Sequence, residues 1–97
     1  MKKIIVTRRL LRLCEEKASK LFKANINLND ELYSQSKLIE LSKGCDGILS
    51  SITDKLDAKT INKLPDTIKI ISNFAVGFGN IDIEVARKRN IVVTNTP

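Results

Sequence analysis

The chain has 97 residues, of which 42% are hydrophobic and 29% charged. This balance is typical of one modest globular domain, and it excludes a disordered chain and a pair of ordinary domains. The formal charge of +6 lies entirely in residues 1–23, which hold eight Lys/Arg and two Asp/Glu, and with only four aromatic residues in the chain we expect no nucleic-acid partner.

The cysteines and the N-terminus indicate an intracellular environment. Cys14 and Cys45 lie far apart in a chain without histidine, so we expect buried free thiols and no metal site. The apolar run of Ile4, Ile5 and Val6 is too short for a signal peptide or a membrane span. We therefore expect a cytoplasmic protein with no membrane partner.

The first elements in chain order are a strand and a helix. The β-branched run predicts a strand over residues 3–7 that is buried on both faces. Apolar residues then recur at helical spacing, which predicts an amphipathic helix with Glu15 on its solvated side. The residues expected on its buried side are Leu11, Cys14, Ala18, Leu21 and Phe22.

Further alternating strands and helices follow. We expect an edge strand at 23–28, a helix at 34–43 that ends at Gly44, and a third strand at 46–50. Asp57 is placed to cap a short helix that ends at Leu64-Pro65. Strands at 68–72 and 91–94 flank a helix at 82–89, after which Asn90 suits a left-handed conformation.

This alternation of strands and helices predicts an α/β fold. Parallel strands joined by helices give a flavodoxin-like parallel sheet, order 2-1-3-4-5, with helices on both faces. In such a sheet ligands collect beyond the carboxyl ends of the strands. The segments expected at that edge are residues 7–9, 50–54, 73–80 and 94–97.

A pair of glycines stands where one strand passes into a helix, in Val76-Gly77-Phe78-Gly79-Asn80. Glycines here allow backbone amides to approach a carboxylate or a phosphate. They are equally consistent with a tight turn that needs glycine only for its conformation. A dinucleotide-binding fingerprint is disfavoured, because the position of its third glycine holds Asp82.

Two longer segments carry a resemblance to a known family. They are IISNFAVGFGNIDIEVARKRNIVVTNTP and, less specifically, LSSITDKLD. Both resemble the D-isomer-specific 2-hydroxyacid dehydrogenase family, and in particular its glyoxylate and hydroxypyruvate reductases. Residues 1–45 match that family only in the order of their elements.

The resemblance implies roles for individual residues. Val76 and Gly77 match the turn whose backbone amides hold the substrate carboxylate, and Ile52 matches an apolar residue beside the substrate. Val76 and Thr96 lie on the cofactor side, whereas Asn80 and Asp82 match positions that shape the loop. Gly79 departs from the family, which commonly has an acidic residue there.

The family's remaining chemistry has no counterpart in these 97 residues. Its members reduce a small 2-oxo acid with NAD or NADP, using a histidine as proton donor, and the chain has neither histidine nor cofactor fingerprint. We do not assign Arg8, Arg9 or Glu84 to catalysis, since solvation or a domain contact accounts for them.

The expected organisation is therefore one incomplete domain. Residues 1–97 would form the N-terminal segment of the substrate-binding domain, inactive alone, while an absent Rossmann domain would bind the cofactor and form a homodimer. The alternative is a stand-alone flavodoxin-like binding or signalling module. The receiver form of that module is disfavoured, because no acidic cluster follows the first strand.

Overall fold

Five parallel strands form one sheet in the order β2-β1-β3-β4-β5 in the computed structural model, which describes residues 2–75 and 77–95. The strands are β1 (Lys3–Val6), β2 (Lys23–Ile26), β3 (Gly47–Ser51), β4 (Ile70–Phe74) and β5 (Val92–Asn95). The helices are α1 (Arg12–Leu21), α2 (Gln35–Leu41), α3 (Ala58–Lys63) and α4 (Ile83–Lys88). The predicted α/β fold and flavodoxin-like strand order are confirmed.

Local sequence signals set the ends of the helices. Three of the helices begin after a residue whose side chain accepts a hydrogen bond from the backbone N–H three residues later: Ser34, Asp57 and Asp82. Gly44 and Asn90, with φ of 78° and 59°, provide the left-handed residues predicted after α2 and α4. The cap predicted at Asp57 is confirmed.

The strand register divides the sheet into two faces. One row across the sheet contains Ile4, Gly47, Ile70 and Val92, and the next row, on the opposite face, contains Ile5, Ile48, Ile71 and Val93. Right-handed crossovers in this strand order place α2, α3 and α4 together over one face and α1 over the other. The main core lies under the three helices, where Ile5 and Ile71 are fully buried.

The face beneath α1 is less covered, and the predicted buried side of this helix is largely wrong. Ala18 is buried as expected, but Leu11 is 72% and Leu21 58% exposed, and Cys14 is also exposed. Glu15, expected in solvent, is buried because Arg9 and the backbone N–H of Leu10 donate hydrogen bonds to its carboxylate. The expectation of buried thiols therefore holds for Cys45 and fails for Cys14.

Strand β4 begins and ends two residues later than its apolar pattern predicts. Ile68 is buried but precedes the strand, which pairs with β3 as far as the partners Ser51 and Phe74. The shift adds Asn73 and Phe74 to the predicted strand. Within residues 2–75 and 77–95, no helix has the length and apolar character needed to cross a membrane.

Candidate functional site

The carboxyl ends of the parallel strands meet at one edge of the sheet, as parallel pairing requires. Residues 7–11 follow β1, residues 52–57 follow β3, and residues 75–82 follow β4. We call residues 52–57 the wall loop and residues 75–82 the glycine loop. An isolated parallel bridge between Leu56 and Ile81 joins the two.

The glycine loop presents backbone without a side chain at two positions, Gly77 and Gly79. A Cβ atom built at Gly77 or Gly79 would meet no atom within 4 Å apart from its immediate chain neighbours. Gly79 is also outside the left-handed region, since Gly44 is the glycine with positive φ among the described residues. The interpretation in which glycine serves only conformation is therefore disfavoured at Gly79, and at Gly77 the Cβ position opens onto free space.

Ile52 stands at the tip of the wall loop. The backbone N–H of Asp54 donates to the carbonyl of Ser51 over 3.0 Å, which closes a tight turn around Ile52. The Ile52 side chain is 70% exposed. An exposed β-branched side chain at a ligand-collecting edge fits the apolar contact expected there.

Asn73 holds the glycine loop from beneath. It is fully buried at the end of β4, and its Nδ2 donates to the carbonyl of Gly77 over 3.1 Å and to Oδ1 of Asn80 over 2.9 Å. Its own Oδ1 accepts a hydrogen bond from the Ser50 hydroxyl over 3.0 Å. The carbonyl of Gly77 is thereby fixed toward the protein.

Asn80 ties the glycine loop to the wall loop. Its Nδ2 donates to the carbonyl oxygens of Ser51 and Asp54 over 3.0 and 2.9 Å. Its own carbonyl accepts from the backbone N–H of Leu56 over 2.8 Å. The structure thus agrees with the loop-shaping role expected of Asn80.

Asp54 forms a second buried polar group beneath the wall loop. Its Oδ2 accepts hydrogen bonds from the hydroxyl of Thr7 and from the backbone N–H of Ser51. Its Oδ1 is the one buried side-chain N or O atom without a hydrogen-bond partner among the described residues. Thr7 follows β1, so this carboxylate links the first strand to the wall loop.

The two arginines after β1 form ion pairs while their side chains stay partly exposed. Arg8 donates to Asp30 over 2.8 Å and to the Thr53 hydroxyl over 3.1 Å, and Arg9 pairs with Glu15 over 2.8 Å. The Arg8 guanidinium and the backbone N–H of Arg9 hold the pKa of the Asp30 carboxyl at about 2. Hydrogen bonds from Arg9 and from the backbone of Leu10 lower the pKa of Glu15.

The residues at this edge do not fit a dinucleotide. Asp82, in the place of the fingerprint's third glycine, uses its carboxylate to accept the backbone N–H of Val85 over 3.1 Å at the start of α4. The chain has no histidine that could transfer a proton. What this edge does present is an open backbone position at Gly77 and an exposed apolar side chain at Ile52.

The structure describes two of the four predicted site residues. Gly77 and Ile52 stand on adjacent loops of the same edge, whereas Val76 and Thr96 lie outside the described residues. The sequence interpretation placed Asn73, Ser50 and Thr7 in segments at this edge but gave them no individual role, and all three are buried. The available signal was polar side chains at inward positions near the ends of otherwise apolar strands.

The fold and this edge together define a flavodoxin-like α/β domain with a glycine loop at the carboxyl edge of its sheet. A glyoxylate reductase of Korarchaeum cryptofilum (strain OPF8) is 35% identical over 98% of the chain and 28% of its own length. A glycerate dehydrogenase of Hyphomicrobium methylovorum is 29% identical over 99% of the chain and 30% of its own length. A solved structure from Polaromonas sp. JS6 66, assigned to the NAD-binding D-isomer specific 2-hydroxyacid dehydrogenases, superposes with a TM-score of 0.95 at 28% identity, over 100% of this chain and 30% of that one.

The family model for the catalytic domain of D-isomer specific 2-hydroxyacid dehydrogenases matches residues 4–97. The chain belongs to this family, and the resemblance seen in its sequence is confirmed. It spans less than a third of the length of each relative described above.

Proposed function

We propose that this chain supplies the substrate-binding side of an NAD(P)-dependent oxidoreductase that reduces a small 2-oxo acid, of the glyoxylate or hydroxypyruvate type, to its D-2-hydroxy acid. The observation that carries the proposal is the family match over residues 4–97, which includes the open glycine loop. In this proposal residues 1–97 form the N-terminal segment of the substrate-binding domain. A Rossmann domain outside these residues binds the cofactor and forms the homodimer interface.

Each proposed site residue has a defined task. The backbone amides at Val76 and Gly77 bind the substrate carboxylate, and the absence of a Cβ at Gly77 leaves its oxygens room to approach. Ile52 packs against the apolar part of the substrate. Val76 and Thr96 border the cofactor, which supplies the hydride when bound.

The activity is tested by comparing two proteins. The 97-residue chain should give no oxidation of NADH or NADPH with glyoxylate or hydroxypyruvate, since it has no histidine and no cofactor fingerprint. The full product of the reading frame that encodes it should turn over at least one of these acids. Turnover by the 97 residues alone, or none by the full product, would contradict the proposal.

A substitution at the glycine loop tests the carboxylate site. Gly77→Ala places a methyl group in space that no other part of the protein fills, so the free energy of unfolding should change by less than about 1 kcal/mol. In the full product the same methyl group should obstruct the substrate carboxylate and lower kcat/KM by roughly 30-fold, equivalent to about 2 kcal/mol.

Gly79→Ala is the matched control, because its Cβ would also enter open space two residues along the loop. Its kcat/KM should stay within about threefold of the original. If both variants are equally impaired, or if neither is, Gly77 does not hold the carboxylate.

A further inference from the structure

The wall loop and the glycine loop are joined by a continuous chain of side-chain hydrogen bonds. It runs from the carbonyls of Ser51 and Asp54, through the amides of Asn80 and Asn73, to the carbonyl of Gly77. Every link in this path measures 2.9 to 3.1 Å. The two proposed substrate contacts, Ile52 and the Gly77 turn, are thus connected through one pair of amide side chains, in addition to the backbone bridge between Leu56 and Ile81.

Asn80 lies in the glycine loop, and its side chain bonds both to Asp54 in the wall loop and to Asn73, the residue that holds Gly77. Its Nδ2 holds the turn that carries Ile52, and its Oδ1 accepts from the same Nδ2 of Asn73 that holds Gly77. The Asn73 side chain is fully buried, which shields the inner end of this path from water, whereas Asn80 is half-buried. A shift of one loop therefore has to break or move the bonds that hold the other.

We propose that Asn80 is a positioning residue that sets the spacing between the apolar wall at Ile52 and the carboxylate-binding turn at Gly77. That spacing determines which size of 2-oxo acid fits between them. The inference rests on the proposed function for its substrate, but the coupling of the two loops is a property of the chain itself.

The chemistry of the position requires an amide. Asp at residue 80 keeps the shape but has no N–H to donate, so its oxygens would face the carbonyls of Ser51 and Asp54. An acceptor placed against two acceptors is repulsive and leaves them unpaired. Asn80→Asp therefore breaks the hydrogen bonds to the carbonyls of Ser51 and Asp54 with little change in side-chain volume.

Arg89 provides a matched control at the opposite edge of the sheet. Its guanidinium donates to the carbonyls of Ile61 and Leu64 over 2.6 and 2.7 Å. Arg89→Met therefore also removes donors from two backbone carbonyls, but at the end of α3, away from the two loops.

The first experiment measures amide hydrogen exchange by NMR in the ligand-free 97-residue chain. Asn80→Asp should accelerate exchange by roughly tenfold, the loss of about one hydrogen bond, at Asp54 in the wall loop and at Ile81 in the glycine loop together. Arg89→Met should leave the exchange rates of both amides unchanged, once any change in the free energy of global unfolding has been subtracted. Acceleration in one loop only, or the same acceleration in Arg89→Met, overturns the coupling.

The second experiment measures substrate discrimination in the full product of the reading frame. The ratio of kcat/KM for glyoxylate to that for the larger 2-oxobutyrate should change by about tenfold or more in Asn80→Asp, a difference of about 1.4 kcal/mol. It should not change in Arg89→Met. An unchanged ratio in an active Asn80→Asp enzyme overturns the positioning role, whereas a wild-type product without turnover refutes the proposed function and leaves the exchange measurement to decide the coupling.

Discussion

At the scale of single residues, charge near the carboxyl edge is organised into specific pairs. Asp30 accepts from the Arg8 side chain and from the backbone of Arg9, and its φ of 48° places it in the left-handed region. Asp and Asn tolerate that conformation better than other residues that carry a side chain. Position 30 thus combines a turn requirement with an ion pair that anchors the segment after β1.

The lowered pKa of Asp30, about 2, predicts a pH dependence of stability. A carboxyl whose pKa is depressed in the folded state stabilises the fold fully above its ordinary pKa near 3.8, and that stabilisation is lost as the pH falls toward 2. Asp30→Asn keeps the shape and removes the charge. We expect the variant to be less stable at pH 6 and to lose less stability than the original between pH 4 and pH 2.

Urea unfolding at a series of pH values checks this prediction. Glu15 and Asp57 also have lowered pKa values, so both proteins will lose stability in acid. The difference between the two curves isolates the contribution of Asp30. Curves that run parallel from pH 6 to pH 2 would exclude an Asp30 contribution.

At the scale of elements, the two faces of β4 differ in how well they are covered. Ile71 is fully buried under the helices, whereas its neighbour Ile70, on the opposite face, is 41% exposed. In the adjacent strand Val92 shares the row of Ile70 and is 58% exposed. The same β-branched sequence therefore contributes very differently to stability on its two sides.

Alanine substitutions in β4 measure this difference. Ile71→Ala should lower the free energy of unfolding by about 2 to 5 kcal/mol, because it leaves a cavity in the main core. Ile70→Ala should cost about 1 kcal/mol or less, because its side chain remains partly in solvent. Denaturant unfolding of both variants gives the comparison, and equal losses would show that the second face is covered in solution.

At the scale of the whole molecule, the two cysteines report on opening of the fold. Cys14 is exposed on α1, whereas Cys45 is 7% exposed in the main core. Burial, followed by the neighbouring charge of Asp46, raises the pKa of the Cys45 thiol. Both effects disfavour the reactive thiolate at Cys45 in the folded state.

Alkylation at neutral pH should therefore modify one cysteine long before the other. We expect Cys14 to react in the folded protein and Cys45 to react roughly 10³-fold or more slowly, because its access requires opening of a fold stable by several kcal/mol. Mass spectrometry of the time course distinguishes the sites, with Cys14→Ser as the control. Comparable rates at the two sites would mean that the core opens far more readily than its burial implies.

Much of this protein is determined by its sequence alone. Short apolar and β-branched runs predict most of the strands, and Asp57, Gly44 and Asn90 mark helix ends through their own side-chain or backbone preferences. Each of these signals depends on a few neighbouring residues, so it can be recognised without knowledge of the fold. The glycine loop and its family resemblance are likewise continuous in sequence.

Only the tertiary structure decides which side chains are buried and which loops are joined. Glu15 is buried because Arg9 folds over α1, and Leu11 stays exposed because no described residue covers it. The path from Asn80 to Ser51 and Asp54 links residues more than 25 positions apart. Periodicity cannot predict such contacts, since they depend on parallel strands bringing the ends of β3 and β4 to the same edge of the sheet.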